Sequence, residues 1–183
     1  MGRYPPQSVY IGLGSNLDDP VDQVSQALEA LRHLPVTRHV SSSQLYRSRP
    51  VGPQDQPDFI NAVARLETRL SPLALLDQLQ ALEQHHSRRR PRRWGPRTLD
   101  LDLLLYGEQT LALPRLTLPH PEMTRRGFVL LPLQELAPNL SLQGRPLQAW
   151  LDALSTDQHP VPLDRTLHSA PSAPSLDTGN AFR

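Results

Sequence analysis

Two aspartates stand two residues apart in an otherwise apolar segment, residues 97–106 (RTLDLDLLLY). Leucines fill most of its positions and Gly107 follows as a turn signal, which predicts a short buried β-strand. Because alternate side chains of a strand share a face, Asp100 and Asp102 are expected to point the same way. Two like charges on a core strand are unfavourable unless a cation lies beside them. The spacing therefore predicts a positively charged partner on that face.

Two kinds of cation fit this face. Hard divalent cations bind carboxylate oxygens, and Mg²⁺ in particular is held by one or two carboxylates together with substrate phosphates. The second candidate is the segment directly upstream, residues 87–97 (SRRRPRRWGPR), which contains six arginines. A structural Arg–Asp network would explain an isolated aspartate pair equally well. A surface built for solubility mixes its charges, so this dense run of arginines favours a site that handles anions.

The composition narrows the possible chemistry. A length of 183 residues and a net charge of +1 fit one domain without a strong overall field toward nucleic acid or membrane. All 19 basic residues are arginines, so the lysine of a P-loop is excluded. Cysteine is absent, which excludes disulfides, thiolate metal sites and a cysteine nucleophile. No apolar run is long enough to span a bilayer, and residues 1–6 lack a signal-peptide core, so we expect a cytoplasmic protein.

Hydrophobic periodicity predicts the elements that position these residues. Residues 8–13 are apolar and β-rich, and the following glycines are too few for a Rossmann site. Asp19 and Pro20 predict the N-cap and first position of a helix that ends near residue 34. Alternation predicts strands at residues 38–47 and 59–69, with a proline-rich loop at residues 48–58 between them. A second helix is expected over residues 71–86.

The order of elements predicts the fold class. The pattern β-α-β-β-α-β is typical of an α/β (α+β) fold of the ferredoxin-like, split β-α-β type, with a mainly antiparallel sheet. A short edge strand is expected at residues 109–113, and extra C-terminal helices at residues 129–136 and 146–154. We expect a single domain over residues 1–154. Prolines, serines and small polar residues dominate residues 155–183, which predicts a disordered tail.

The residue types together indicate phosphoryl transfer. A carboxylate pair can hold one or two Mg²⁺ ions, and arginines can neutralise an oligophosphate. The side chains of Phe59, Asn61, Trp94 and Phe128 offer flat apolar faces and amide hydrogen bonds, which suit a planar heterocycle. The pattern therefore indicates a magnesium-dependent enzyme that binds a nucleotide and a flat second substrate. A nucleic-acid-binding module and a two-metal nuclease remain as alternatives.

Three segments resemble the 6-hydroxymethyl-7,8-dihydropterin pyrophosphokinase family of folate biosynthesis, namely residues 9–17 (VYIGLGSNL), 52–61 (GPQDQPDFIN) and 93–102 (RWGPRTLDLD). Two further segments, Pro119-His120 and Arg126-Gly127-Phe128, resemble later motifs of the family. The resemblance implies transfer of the β,γ-pyrophosphate of ATP to the pterin hydroxymethyl group, with AMP leaving. It also implies two Mg²⁺ ions, and a monomer that binds ATP and the pterin without nucleic-acid or membrane partners.

The same resemblance implies roles for individual residues. Two magnesium ions would be held by Asp100 and Asp102. The implied catalytic residues are Arg88, Arg97, Asp100, Asp102 and His120. The implied ATP-binding residues are Gln80, Glu83, Arg88, Arg90, Arg97, Leu103, Arg115, Thr117, His120 and Arg126. The implied pterin-binding residues are Ser48, Val51, Phe59, Asn61, Trp94 and Phe128, with the phenylalanines stacking on the ring. No side chain is an obvious general base, so metal-assisted activation of the hydroxyl is expected.

Overall fold

The structure, a computed structural model, describes residues 5–50, 56–89 and 99–163, and for residues 88 and 89 only the backbone. The strands are β1 (Gln7–Ser15), β2 (Thr37–Ser42), β3 (Tyr46–Ser48), β4 (Phe59–Thr68), β5 (Asp100–Tyr106), β6 (Leu111–Ala112), β7 (Thr117–Leu118), β8 (Ser141–Leu142), β9 (Arg145–Pro146) and β10 (Val161–Pro162). The α-helices are α1 (Pro20–Leu31), α2 (Pro72–Arg89), α3 (Gly127–Leu136) and α4 (Leu147–Asp152). Short 3-10 turns cover Met123–Arg125 and Thr156–Gln158.

The main sheet has the strand order β10-β3-β4-β1-β5, and β2 also pairs with β4. All of its pairings are antiparallel. Strands β1 and β4 are central, and β5, which carries both aspartates, is at one end of the order. The element order and the antiparallel sheet confirm the ferredoxin-like expectation.

The two faces of the sheet pack against different helices. On one face Val9, Ile11 and Leu13 of β1 join buried residues of α1 and α2. On the other face Val63 and Leu104 join buried residues of α3 and α4. Because side chains alternate along a strand, Asp100 and Asp102 of β5 share the second face with Leu104. The aspartates therefore lie on the α3 side of the sheet, where the packed core ends.

Helix α1 and the strand expected at residues 38–47 differ from their predictions. Helix α1 ends at Leu31, before residue 34. Asp19 precedes Pro20 as predicted, but it has φ 63° and its side chain makes no capping hydrogen bond. The Asp19 carbonyl instead accepts the Gln23 N–H at 3.1 Å, so main-chain geometry begins this helix. The strand expected at residues 38–47 is divided into β2 and β3, because the Ser43 hydroxyl between them accepts the Val63 N–H at 2.9 Å.

The C-terminal part of the chain is also more ordered than expected. Residues 156–158 form a 3-10 turn, and β10 pairs with β3 in the main sheet. The prediction of disorder is therefore wrong for residues 155–163, because backbone hydrogen bonding to the sheet orders a segment without hydrophobic periodicity. Residues 164–183 lie outside the described residues. The expected edge strand at residues 109–113 appears as β6, which pairs with β7 in a separate two-stranded sheet. None of the helices described here has the length and apolar character needed to cross a bilayer.

Candidate active site

A cleft of about 410 Å³ opens on the second face of the sheet. Its floor is formed by the ends of β1, β4 and β5, and its walls by β3, the first turn of α3 and the segment around Gln158. Both aspartates of β5 line this cleft, together with Ser48, Phe59, Asn61, Arg126 and Phe128. Seven residues that the sequence predicted for the metal ions, ATP and the pterin therefore meet in one space.

Two glycines of β1 keep the space in front of the carboxylates open. Asp102 lies opposite Gly12 and Asp100 opposite Gly14 in the antiparallel register. Neither glycine projects a side chain over the sheet, so a ligand can approach the carboxylates and the backbone. A Cβ added at Gly14 would lie 3.2 Å from the Asn61 Oδ1. The sequence Gly12-Leu13-Gly14 therefore keeps the cleft open and does not form a dinucleotide-binding loop.

Asp102 has a nearby cation in Arg126, at the start of α3. The Arg126 Nη1 lies 3.9 Å from the Asp102 Oδ2, and both side chains are partly exposed. Exposed ion pairs at this distance contribute little to stability. The guanidinium group is therefore positioned beside the carboxylates at low cost to the fold, and it can turn toward an incoming anion.

The donor set of the cleft fits magnesium. The carboxylate of Asp100 is exposed and that of Asp102 is partly exposed, and both face the cleft. Within the described ranges, no group of three or more histidines, cysteines or acidic residues could hold a metal by itself. Zn²⁺ and Ca²⁺ usually take more protein ligands, whereas Mg²⁺ keeps water and completes its coordination with substrate phosphates. Asp100 and Asp102 are the residues that could hold it.

His120 lies beside this carboxylate–arginine pair. Its backbone N–H donates to the Leu104 carbonyl of β5 at 2.9 Å, and its Nδ1 accepts the Glu122 N–H at 3.2 Å. Burial lowers the pKa of His120; the charges of Asp102 and Glu122 raise it, and that of Arg126 lowers it further. The ring is therefore neutral near pH 7, with its proton on Nε2.

The other end of the cleft carries the aromatic and amide side chains. The Asn61 Nδ2 donates to the Ser48 Oγ at 2.7 Å, and the two residues are only 3% and 8% exposed. Phe59 and Phe128 are half-buried and both line the cleft. The Arg126 guanidinium lies 5.8 Å from the centre of the Phe128 ring. This end can hold a flat ring and hydrogen-bond its edge. Val51 and Trp94, predicted for the same ring, lie outside the described residues.

Five residues predicted to bind ATP lie away from the cleft, across strand β5. Arg115 contacts two α2 residues through its Nη2, Asp77 at 2.5 Å and Gln80 at 3.1 Å. Thr117 is exposed on β7, whereas Leu103 is buried in the core beneath α1 and α2. Glu83 is 8% exposed, and its Oε2 accepts the Leu101 N–H at 3.3 Å. The Arg88 side chain, Arg90 and Arg97 lie outside the described part of the chain.

Sequence reasoning missed several residues of the cleft. The structure adds Gly12, Gly14, Arg49, Gln56, Glu122, Arg125 and Gln158. The two glycines carried a usable signal, because glycine inside a strand often marks a close approach of backbone and ligand. Gln158 had no such signal in the sequence, because it is a polar residue in a segment without hydrophobic periodicity.

Comparisons with known proteins show the family to which the chain belongs. The family model described as 7,8-dihydro-6-hydroxymethylpterin-pyrophosphokinase (HPPK) matches residues 10–138. The chain is similar to the 2-amino-4-hydroxy-6-hydroxymethyldihydropteridine pyrophosphokinase of Pseudomonas aeruginosa, with 57% identity over 80% of this chain and 91% of the relative. It is 34% identical to the enzyme of the same name from Bacillus subtilis, over 87% of this chain and 96% of the relative.

Solved structures show the same fold at low sequence identity. Plasmodium falciparum HPPK-DHPS with pteroate is 13% identical with a TM-score of 0.66, over 83% of this chain and 43% of that chain. A complex of the same protein with pterin and p-hydroxybenzoate has a TM-score of 0.64 at 14% identity, over 82% and 44%. The chain thus spans less than half of these solved chains. Its sequence relatives and the family match decide the assignment: the chain belongs to the 7,8-dihydro-6-hydroxymethylpterin pyrophosphokinase family.

Proposed function

We propose that the cleft divides the family's reaction between two ends, a phosphate end at Asp100, Asp102 and Arg126 and a pterin end at Phe59 and Asn61. The reaction itself follows from family membership. The enzyme transfers pyrophosphate from ATP to the hydroxymethyl group of 6-hydroxymethyl-7,8-dihydropterin in folate biosynthesis. The alternatives of a nuclease and a nucleic-acid-binding module gain no support from these relatives.

One observation carries the proposal. The carboxylate pair and the buried Asn61–Ser48 pair open into the same cleft of about 410 Å³. That volume is typical of a small-molecule site, so a ring held at one end brings its hydroxymethyl group close to the carboxylates at the other. Holding two reactants in this way removes much of the entropic cost of bringing them together.

The phosphate end combines three kinds of group. Asp100 and Asp102 would hold two Mg²⁺ ions, which when bound supply charge neutralisation and alignment of the phosphates. Arg126 would turn from Asp102 toward a phosphate oxygen, because guanidinium groups match phosphate geometry. His120 would donate its Nε2 proton as a hydrogen bond to a phosphate oxygen. With Nδ1 engaged by the Glu122 N–H, this ring is suited to donation and not to proton abstraction.

The remaining ATP contacts lie beyond strand β5. Gln80, Arg115 and Thr117 are on the outer side of this strand, so we place the adenosine part of ATP across the sheet edge. Glu83 and Leu103 would support this region from within the core. Arg88, Arg90 and Arg97 would contact the phosphates, and Val51 and Trp94 the pterin. We further propose that the enzyme acts as a monomer in the cytoplasm, without nucleic-acid or membrane partners.

The placement of the metals can be tested with Asp102→Ala. We expect this variant to lose Mg²⁺-dependent formation of AMP from ATP and the pterin alcohol, because one of two metal-holding carboxylates is gone. The fold should remain, since Asp102 is partly exposed. Glu67→Gln is a matched control, because Glu67 pairs with Arg38 on β2 and lies outside the cleft. Retained turnover in Asp102→Ala would count against the metal assignment.

A further inference from the structure

The C-terminal strap, defined as residues 155–163, forms one wall of the cleft. It follows α4, passes over the first turn of α3 and ends as β10 on the main sheet. The strap lies beyond residues 10–138, where the family model matches. Gln158 of the strap lines the same cleft as the residues of the proposed pterin end. The strap therefore borders a substrate site without belonging to the matched motifs.

Several hydrogen bonds fix the strap in place. The Gln158 Oε1 accepts the Ser155 N–H at 3.2 Å and the Ser155 hydroxyl at 3.1 Å, which closes the 3-10 turn as a capping box. The His159 Nε2 donates to the Leu151 carbonyl of α4 at 2.9 Å. At the far end the Leu163 N–H donates to the Leu45 carbonyl at 2.9 Å, and Val161 lies opposite Arg47 of β3. The strap thus joins α4 to β3.

Gly127 shows how closely the strap packs on α3. A Cβ added at Gly127 would lie 2.1 Å from the Gln158 carbonyl oxygen and 3.1 Å from its carbonyl carbon. Since both are main-chain atoms, no side chain fits at position 127 while the strap is in place. Gly127 stands between Arg126 and Phe128, which both line the cleft. The strap therefore contacts the turn that aims these two side chains.

The strap also contacts the β3 wall, because Val161 and Pro162 of β10 pair with Arg47 and Tyr46 of β3. Asp157 is adjacent in sequence to Gln158, and its pKa is lowered by the Ser155 hydroxyl, by a backbone hydrogen bond and to a smaller extent by the charge of Arg49. Arg49 follows Ser48 at the end of β3, and both residues line the cleft. One short segment thus contacts the α3 wall through Gln158 and pairs with β3 through β10.

We propose that the C-terminal strap is a positioning element for the pterin, holding the first turn of α3 and the end of β3 at the spacing that the ring needs. The inference rests on the placement of the pterin proposed above. The strap acts on the walls of the pterin end, whereas the carboxylates of β5 are fixed by pairing with β1. Its loss should therefore affect the pterin more strongly than ATP, which this turn reaches through Arg126 alone.

The test compares two shortened chains with the full chain. One ends after Leu154 and lacks the strap; the other ends after Leu163 and keeps it. Without the strap, we expect the KM for the pterin to rise about tenfold or more, because small misplacements of positioning groups can cost up to roughly 100-fold. The KM for ATP should rise clearly less than the KM for the pterin, because Arg126 is the proposed ATP contact that this turn carries. The chain that ends after Leu163 should match the full chain in both values.

A pair of full-length variants covers the case in which the shorter chain fails to fold. The double substitution V161P/L163P removes the N–H of Val161 in β10 and the N–H of Leu163, which donates to the Leu45 carbonyl, whereas V161A/L163A keeps both groups. The proline pair should raise the KM for the pterin above that of the alanine pair, with a clearly smaller effect on the KM for ATP. Equal rises in both KM values, or no difference between the paired variants, would overturn the role of the strap. Neither result bears on the metal site, which Asp102→Ala tests separately.

Discussion

Asn61 of β4 donates a hydrogen bond from its Nδ2 to the Ser48 Oγ of β3 at 2.7 Å, and both residues are almost completely buried. The Asn61 Oδ1 lies over Gly14, where an added Cβ would come within 3.2 Å of it. The amide is thus oriented by the protein before any ligand binds. A preoriented amide favours binding, because less side-chain freedom is lost when the ring arrives.

Asn61→Ala should weaken binding of the pterin about 10- to 100-fold, since an unpaired buried polar group costs roughly 1–3 kcal/mol. Affinity for a non-hydrolysable ATP analogue should change little. Isothermal titration calorimetry with each ligand measures both values. Ser48→Ala should produce a smaller loss, and the double variant should lose less than the sum, because the two side chains act as one unit. Equal losses of affinity for the pterin and the ATP analogue would contradict the placement of the pterin ring beside Asn61.

Glu83→Ala should destabilise the fold by about 1–3 kcal/mol, because it leaves the buried Leu101 N–H without this acceptor. Leu101 lies between Asp100 and Asp102, so the same change should also weaken Mg²⁺-dependent ATP binding. Gln84→Ala is the control on the same helix, since Gln84 is exposed on α2 and has no proposed role in ATP binding. Urea unfolding measures the stability of each variant. An unchanged unfolding free energy in Glu83→Ala would show that this carboxylate does not support β5.

The sequence alone predicted those structural features that depend on one local pattern. Alternation in β5 placed Asp100 and Asp102 on one face, and the structure has both in the cleft. The order of strands and helices likewise predicted the antiparallel ferredoxin-like sheet. Both predictions depend on backbone geometry, because the backbone of a strand or a helix sets the period at which side chains share a face.

The remaining features depend on contacts between distant segments. The β10–β3 pairing joins residues about 115 positions apart, and residues 155–163 carry no hydrophobic pattern that would reveal it. Among the described residues, Arg126 of α3 is a cation beside Asp102, and no local pattern links these two positions; residues 90–97 of the arginine run lie outside the described part of the chain. Within the residues described, such pairings are set by how α3 and the strap pack on the sheet.

In the protein without metal and nucleotide, His120 should titrate below its usual pKa of 6.5, because burial disfavours the charged ring. Asp102→Asn should lower this pKa further, since the aspartate favours the imidazolium. Arg126→Gln should raise it, since the guanidinium opposes the imidazolium. Histidine NMR titrations of the three proteins measure these shifts. Shifts of the same sign in both variants would contradict the position of His120 between the two charges.

The same lowered pKa gives a prediction for stability. The unfolded chain binds a proton at this histidine more readily than the folded chain does. The contribution of His120 is therefore fully present above pH 6.5 and is lost progressively as the pH falls below it. His120→Gln should weaken this acid dependence of the unfolding free energy. An unchanged dependence would assign the acid sensitivity to other groups.

Tyr46→Phe should reduce the unfolding free energy by about 1–2 kcal/mol, because it removes a hydrogen bond between β3 and α3. The Tyr46 hydroxyl donates to the Glu135 Oε2 at 2.8 Å, and burial, reinforced by Glu135, raises the Tyr46 pKa from 10.0 to about 12. The stabilisation is thus complete below pH 10 and lost as the pH rises through about 12. Glu135→Gln keeps an acceptor and should lose less. Urea unfolding near neutral pH and above pH 10 measures the unfolding free energy of each protein. If Tyr46→Phe had the same unfolding free energy as its parent at both pH values, this hydrogen bond would contribute nothing to stability.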